Sequence, residues 1–407
     1  LPSTPSILLL EFYLSGGSQR LAGSLLLEGY AMMKAASQAL REAGWEVSVL
    51  VDERVLPYVG FEASNIIRVE PGGLLSSIHE GLRLDSALAV APPMGGAHAS
   101  VLKALEEAGF RLLGPPSWKV ESYSDKYRQF ERLSKVGVPV PRTEEVDDLS
   151  LDELRSRVSS LGLPLILKPR LGAGCEGMVV ADSWSDVEEA VARGWIGRGY
   201  LAQEFLSGVH ASAAVFSNGV KAWAPCLNAQ LIKWGRRPSY EGGLTPLSHS
   251  MSKEGLRVAE EAVKALGLKG YVGVDLVLSE GGAYVIEVNP RLTTSIVSLL
   301  KVLGGRVLGN LLSSSGLGSL ELPEALTLSK ACAFMKARAP RSLELSLKAR
   351  RLLAEVRGVY VIAPTAGRIE AEEAVAMVMA SGSEPKEAYL WAERSIAEVR
   401  SLLSLLA

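Results

Sequence analysis

Two carboxylates and an amide in the second half of the chain have the types and spacing of a cation site. Asp275 sits in Gly273-Val-Asp-Leu-Val277, and Glu287-Val288-Asn289-Pro290-Arg291 follows after the turn Ser279-Glu-Gly-Gly282. On a paired antiparallel hairpin, residues i and i+2 point to the same face. Asp275, Glu287 and Asn289 can then aim three oxygens at one place. Such hard donors suit Mg²⁺ or Mn²⁺, and Mg²⁺ takes few protein ligands, keeping waters and substrate phosphates. Glu287 lies between Val285-Ile286 and Val288, a poor setting for a merely solvated acid. Arg291, two positions beyond Asn289, is spaced to hold a phosphoryl group in transfer. The plainer alternative is a hairpin end with two solvated acids.

A second feature is Lys168-Pro-Arg-Leu-Gly172-Ala-Gly174-Cys-Glu-Gly177. It contains a literal G-x-G-x-x-G, which in a dinucleotide site lies between a strand and a helix. Here Met178-Val-Val-Ala181 follows, and these are strand formers, so the expectation is strand–loop–strand. Glycines let backbone N–H groups close over phosphates, and Lys168 can neutralise their charge. There is no G-x-x-x-x-G-K-[ST] and hence no P-loop. A plain hairpin turn is the bland alternative. A third stretch, Leu201-Ala-Gln203-Glu204-Phe205-Leu206, runs from an apolar strand into a polar pair. It could meet adenine through backbone groups, with Leu206 against the ring, or be an ordinary strand end.

These groups need elements to hold them. The first ~115 residues alternate strand and helix signals: strands at Ile7–Glu11, Val47–Val51, Ile66–Val69, Ala87–Ala91 and Arg111–Leu113, helices at Leu21–Ala43, Leu74–Leu82 and Ala97–Ala108. That alternation predicts a parallel sheet covered on both faces. A short helix over Ser124–Val136 carries Asp125 and Lys126. Strands at Pro164–Lys168 and Met178–Ala181, a helix at Trp184–Arg193 and a strand ending at Gln203-Glu204 come next. Antiparallel strands with one helix (Lys253–Leu266) are expected up to residue 290. Ser313–Gly318 reads as a loose connection. Beyond it the pattern is harder to read, apart from a strand at Val359–Ala363, a strand-to-helix turn from Met377–Ser381 into Glu384–Ala388, and a last helix over Pro385–Leu405.

The chain has 407 residues, enough for two or three domains. Its 43 Lys+Arg against 45 Asp+Glu give no basic surplus, so nucleic acid is not an expected partner. Three separated cysteines, Cys175, Cys226 and Cys332, support neither a disulfide framework nor a CxxC zinc site. Mean hydropathy is +0.19, yet no stretch has the ~18 uncharged apolar residues of a membrane span. The apolar start lacks a basic leader. A cytoplasmic protein is the expectation. The missing initiator Met leaves the true start open.

Taken in order, Asp125-Lys126, Lys168, the 172–177 loop, Gln203-Glu204-Phe205-Leu206, Asp275 and Glu287-Val-Asn289-Pro-Arg291 resemble the ATP-grasp superfamily. The resemblance implies an α/β and α+β chain. An N-terminal parallel domain (1–120) precedes a two-lobed ATP-grasp domain (121–312, lobes 121–202 and 203–312) and a C-terminal extension (313–407). It implies ATP and Mg²⁺ or Mn²⁺, with two ions bridged by Glu287. Lys126 and Lys168 then hold nucleotide phosphates, Gly172, Gly174 and Gly177 form the flap, and Gln203, Glu204, Phe205 and Leu206 form the adenine linker. Asp275, Glu287 and Asn289 bind metal, while Arg291 and Lys168 serve catalysis. Two positions depart from the pattern. His210 stands where a ribose-binding acid is common, and Gly273 where some amino-acid ligases carry an arginine.

The implied reaction joins a small carboxylate to an amine through an acyl phosphate. Substrate contacts are expected from Asn228, Gln230, Arg236, Arg237 and Tyr240, with Trp223, Trp234 and His249 near the same cleft; the alternatives are a solvated loop pair for Arg236-Arg237, core packing for the tryptophans and a plain loop position for His249. His79 and His98 are expected on helix surfaces, and Cys175 is read as packing. Leu10-Glu11-Phe12-Tyr13, Ser15-Gly16-Gly17, Leu227–Gln230, Tyr240–Gly243 and Asn289–Thr294 further resemble the tyramine–glutamate ligase group. That implies γ-glutamyl transfer to an amine such as tyramine. A small-molecule kinase or a non-catalytic nucleotide-binding module are the alternatives. A nicotinamide enzyme is disfavoured, because residues 11–23 lack the glycine fingerprint. A homo-oligomer is left open.

Overall fold

The computed structural model describes residues 4–21, 23–79, 82–147 and 149–406. The chain begins β1 (Ser6–Glu11), α1 (Gly23–Glu42), β2 (Glu46–Asp52), β3 (Asn65–Val69), α2 (Leu74–His79), β4 (Ser86–Val90), α3 (Ala97–Glu107) and β5 (Arg111–Leu112). The five strands are parallel in the order β3-β2-β1-β4-β5. Ile7 and Leu9 pack with the apolar residues of α1, while Leu8 and Leu10 pack with those of α3. Burial on both faces explains the unbroken apolar run of β1. The order reverses between β1 and β4, so the crevice beyond their C-terminal ends is where such a sheet offers a ligand site. Glu11 closes β1 at that crevice. The expected parallel front domain is therefore present; of the helix read over Leu74–Leu82, residues 80–81 lie outside the described residues.

Next come α4 (Ser117–Tyr123), α5 (Lys126–Lys135), β6 (Thr143–Glu145), α6 (Leu151–Val158), β7 (Leu165–Pro169), β8 (Val179–Ala181), α7 (Trp184–Ala192) and β9 (Tyr200–Glu204). The four strands form an antiparallel sheet ordered β6-β9-β7-β8. Leu154, Val158, Val187 and Ala190 of α6 and α7 bury its apolar face. Helices α5, α6 and α7 start on side-chain caps. Asp125 accepts the Tyr127 N–H, and Ser150/Glu153 and Ser183/Asp186 form reciprocal capping boxes.

The remainder builds around one large sheet. In chain order it runs β10 (Val209–Asn218), β11 (Ala222–Trp223), β12 (Leu227–Lys233), β13 (Ser239–Thr245), α8 (Ser252–Leu266), β14 (Lys269–Ser279), β15 (Gly282–Asn289), α9 (Ile296–Leu303) and α10 (Gly305–Leu317). Then follow β16 (Ala331–Arg338), β17 (Leu343–Leu345), α11 (Leu347–Glu355), β18 (Val359–Ile362), β19 (Gly367–Ile369), β20 (Ala374–Gly382) and α12 (Pro385–Leu406). The sheet order is β15-β14-β10-β12-β13-β16-β20-β18, with β11 on β10, and β17 pairs β19 apart from it. Because β16 bonds to β13, the last strands extend the sheet that carries the hairpin. Residues of α1, α9, α10, β16, β20 and α12 share a core, so the two ends of the chain are packed together.

One expectation needs correcting. Ser313–Gly318 is not a loose connection, since Ser313 to Leu317 form the last turns of α10. The serine hydroxyls satisfy themselves locally, Ser313 donating to the Gly309 carbonyl at 3.0 Å and Ser315 to the Leu311 carbonyl at 2.6 Å. Small side chains let this helix lie against α1 and Leu113, which larger residues would prevent. Among the described residues no single helix is long and apolar enough to cross a membrane. The bent pair α9–α10 passes by length and composition, meets at 120° and buries most of its residues in the core.

Candidate active site

The β14–β15 hairpin places the acids. Asp275 stands directly opposite Glu287, and Asn289 opposite Gly273. The pairing slips between Asp275 and Leu276, which pairs with Val285, so Ile286 is an extra, bulged residue. Bulges re-aim side chains. Here Ala283, Val285 and Val288 enter the core behind the sheet, while both Ile286 and Glu287 line the cleft in front.

The Asp275 carboxyl is held by amides. Gln230 Nε2 donates to Oδ1 at 2.8 Å and Asn289 Nδ2 to Oδ2 at 3.3 Å. Burial, then the neighbouring Glu287, push the Asp275 carboxyl up to about 7, against the pull of Arg291. Glu287 lies 3.3 Å from the Lys126 ammonium. Arg291 caps this end, its guanidinium donating to the Leu292 carbonyl at 3.1 Å and to Asn289 Oδ1 at 3.4 Å.

Two buried lysines approach from the smaller sheet and α5. Lys168 Nζ donates to Gln203 Oε1 at 2.9 Å and the Ile286 carbonyl at 3.3 Å, and lies 4.9 Å above the Phe130 ring. Burial depresses its ammonium to about 7, with Lys126 adding to the effect and Glu287 opposing it. Lys126 Nζ donates to the Gly172 carbonyl at 2.9 Å. The glycine loop joins antiparallel β7 and β8, as strand–loop–strand requires. Gly174 (φ 65°) and Gly177 (φ 73°) take left-handed backbone, and so does Cys175 (φ 66°), at a cost a side chain normally avoids. Cys175 faces the cleft rather than the core, with its thiol pushed up to about 11 by burial.

The same cleft continues along Gln203, Glu204, Phe205, Leu206 and His210. The Glu204 carboxylate is taken by Arg142 at 2.7 Å, so this linker offers its backbone rather than its charge. His210 stacks at 4.8 Å on Trp234, which meets Phe205 edge-on at 5.8 Å. Burial pushes His210 down to about 4, leaving it a neutral ring. Trp234 thus belongs to the linker end of the cleft, and Trp223 lies away from it, packed on the core.

Of the residues expected to touch substrate, Gln230 and Tyr240 line the cleft. Asn228 does not: it is buried below, accepting from Thr245 at 2.8 Å and donating to Ser212. Arg236 points outward and pairs with Asp186 and Glu189 of α7, while its carbonyl accepts the Val180 N–H at 2.9 Å. Arg237 lies 5.5 Å over the Trp195 ring. The β12–β13 turn therefore clasps the smaller sheet across the cleft. His249 Nδ1 accepts the Met251 N–H at 3.2 Å in its own loop. His98 is no surface residue: it is 3% exposed, and burial followed by Arg291 drives it down to about 3. The side chain of His79 lies outside the described residues. At Gly273 a Cβ would sit 2.3 Å from Thr293 Cγ2, so the space an arginine would need is filled.

Similarity to known proteins agrees with this geometry. A family model described as an ATP-grasp domain matches residues 123–295. Those residues form an ATP-grasp domain by this match. The chain is 26% identical over 298 residues to the tyramine–L-glutamate ligase of Methanocaldococcus jannaschii, covering 72% of this chain and 84% of that one. It is 24% identical over 270 residues to the arginine-specific carbamoyl phosphate synthase large chain of Geobacillus stearothermophilus. That match covers 65% of this chain but only 26% of the synthase, so the chain spans about a quarter of that relative's length. The fold superposes on the biotin carboxylase of Campylobacter jejuni with a TM-score of 0.70 at 16% identity, covering 98% of this chain and 95% of the other.

The ATP-grasp cleft also has a wall that sequence reasoning did not assign. Glu11 and Tyr13 from β1's end, Glu28 from α1, and Thr293–Ser295 all line it. Burial raises the Glu11 carboxyl to about 8 although the Leu14 N–H donates to it at 2.9 Å. Glu28 is held by Lys336 of β16 at 2.7 Å and by Thr294 at 2.9 Å. A lone lysine inside Ala331-Cys-Ala-Phe-Met-Lys-Ala337 was the available signal for a buried pair. Its partner, 308 positions away, was not.

Proposed function

We propose that the chain is an ATP-dependent carboxylate–amine ligase working through an acyl phosphate. One observation carries the reading: the facing carboxylates of Asp275 and Glu287 share a cleft with buried Lys168 beneath a strand–glycine–strand flap, and a second buried lysine, Lys126, bridges Glu287 and that flap. Charge of both signs is gathered out of water there, which is what positioning a polyphosphate demands. In this reading residues 121–312 form the ATP-grasp core, and 313–407 complete its large sheet.

The donor set fits a divalent cation. Asp275 and Glu287 concentrate carboxylate oxygen in a buried place, and the Asn289 amide can present its oxygen after a half-turn. Among the described residues no three His, Cys, Asp or Glu side chains gather as a metal cluster, so substrate oxygens must complete the shell, as suits Mg²⁺. Asp275, Glu287 and Asn289 would hold Mg²⁺ or Mn²⁺, which when bound neutralises phosphate charge.

The chain's own groups do the rest. Lys126 and Lys168 bind phosphate oxygens, and the Gly172–Gly177 backbone closes over them. The backbone of Gln203–Leu206 meets the base, with His210, Phe205 and Trp234 as its apolar wall. The carboxylate oxygen of the acid substrate attacks the γ-phosphorus, breaking the bond to the β-phosphate oxygen and releasing ADP. Arg291 stabilises the charge passing through that phosphoryl group. The neutral amine then adds to the acyl carbon, phosphate leaves, and the nitrogen proton is lost. By analogy with the tyramine–L-glutamate ligase, L-glutamate is the acid to test first and tyramine the first amine.

The test is ADP and phosphate release from purified protein with ATP and Mg²⁺, across L-glutamate paired with a panel of amines. Release that needs both partners, with a product of their summed mass less water, supports the ligase. A phosphorylated product without condensation would instead support a kinase.

A further inference from the structure

Helix α5 touches the edge of the large sheet through one amide. β15 is the outermost strand, so peptide groups on its outer side have no strand to pair with. At Val288 the Gln129 side chain stands in for that strand. The Val288 N–H donates to Gln129 Oε1 at 2.8 Å, and Gln129 Nε2 donates to the Val288 carbonyl at 2.6 Å. The same Nε2 donates to the Tyr123 carbonyl at 2.5 Å. Gln129 is 1% exposed, and its three side-chain hydrogen bonds all go to backbone.

Val288 lies between Glu287 and Asn289. The ladder on its other side is irregular, because the bulge at Ile286 shifts the β14–β15 register. A strand end that is bulged on one side and unpaired on the other would not hold its side chains in fixed directions. One turn earlier on α5, Lys126 meets both Glu287 and the flap carbonyl of Gly172.

We infer that Gln129 is a positioning residue. By clamping both polar groups of Val288 it fixes the directions of Glu287 and Asn289 and ties them to the helix that carries Lys126. The inference rests on the reading that Glu287 and Asn289 hold a cation. Glutamine suits the task because its donor and acceptor lie in one plane, as in a neighbouring peptide. Gln129→Glu keeps the acceptor but sets a carboxylate against the Val288 carbonyl. Gln129→Met keeps the length and loses all three hydrogen bonds.

The experiment measures Mn²⁺ binding to the full chain with ADP present, from the loss of the free-ion paramagnetic resonance signal, alongside amide exchange in β15. Gln129→Met should bind Mn²⁺ about ten- to a hundredfold more weakly and exchange the Val288 amide faster. Its affinity for ADP without metal should stay within about twofold, a split that general destabilisation would not give. If Gln129→Met does not fold, Gln129→Glu takes its place, with the same weakening expected. Unchanged Mn²⁺ affinity in a folded variant overturns the inference. A wild-type protein that binds ADP but no Mn²⁺ removes the metal reading itself and this inference with it.

Discussion

The Glu287 carboxylate, on strand β15, lies 3.3 Å from the Lys126 ammonium at the start of α5. Lys126 opens α5 beside the glycine loop, and Glu287 ends the hairpin of the large sheet. Their contact lies behind the cleft wall that Glu287 forms. Substrate phosphates would enter between a cation and an anion already held in place.

Replacing Glu287 by glutamine removes half of the facing carboxylate pair while keeping the side chain's size. ATP turnover is expected to fall by about a hundredfold or more, with a melting temperature close to wild type. Glu287 is partly exposed to the cleft, so folding does not depend on its charge. Steady-state kinetics with a thermal melt check both parts.

Arg236 is expected to act on nucleotide release. It pairs with Asp186 and Glu189 across the cleft while partly exposed, and exposed pairs are worth ~0.2–1 kcal/mol each. Arg236→Ala should therefore speed ADP dissociation by about two- to fivefold. Added salt should speed release from wild type and leave the variant nearly unchanged. Stopped-flow release of a fluorescent ADP analogue reads both effects.

Buried His98 sets an acid limit. Its folded pKa of about 3 lies below the ordinary value of 6.5, so between these values the unfolded chain binds a proton that the folded chain refuses. Stability is then lost as pH falls below 6.5, at about 1.4 kcal/mol per pH unit, or about 2 kcal/mol by pH 5. His98→Asn should lose less stability between pH 7 and pH 5 than wild type, by denaturant titration.

Much of this was legible in the sequence. The turn Ser279-Glu-Gly-Gly282 between two strand-forming runs gave the hairpin, and the glycine loop between two others gave the flap. The bulge at Ile286 was not legible, because a one-residue slip leaves composition and spacing unchanged. The outward turn of Arg236-Arg237 was one of two open readings, but the partners of Arg236, on a separate helix, were not legible. The serine run of α10 was misread for another reason: serine favours turns when exposed, but here its hydroxyls bond back to helix carbonyls while Gly309 and Gly316 let the helix lie against α1 and Leu113.

Gly273 makes a related case. Its hydrogen faces Thr293, which bonds to Tyr271 at 2.8 Å and Ser295 at 3.0 Å. Gly273→Ala should cost ~1–3 kcal/mol through overpacking and should raise the KM of the acid substrate by shifting Thr293–Ser295. A denaturant titration and substrate-saturation curves check the two effects.

The central claim is an acyl phosphate, and the most direct measurement follows an oxygen atom. The acid substrate identified by the amine panel is labelled with heavy oxygen in its carboxylate, and the released phosphate is weighed by mass spectrometry. The expected result is one labelled oxygen in each phosphate, carried over when the acyl phosphate breaks. Phosphate released without label, at full turnover, would contradict the account.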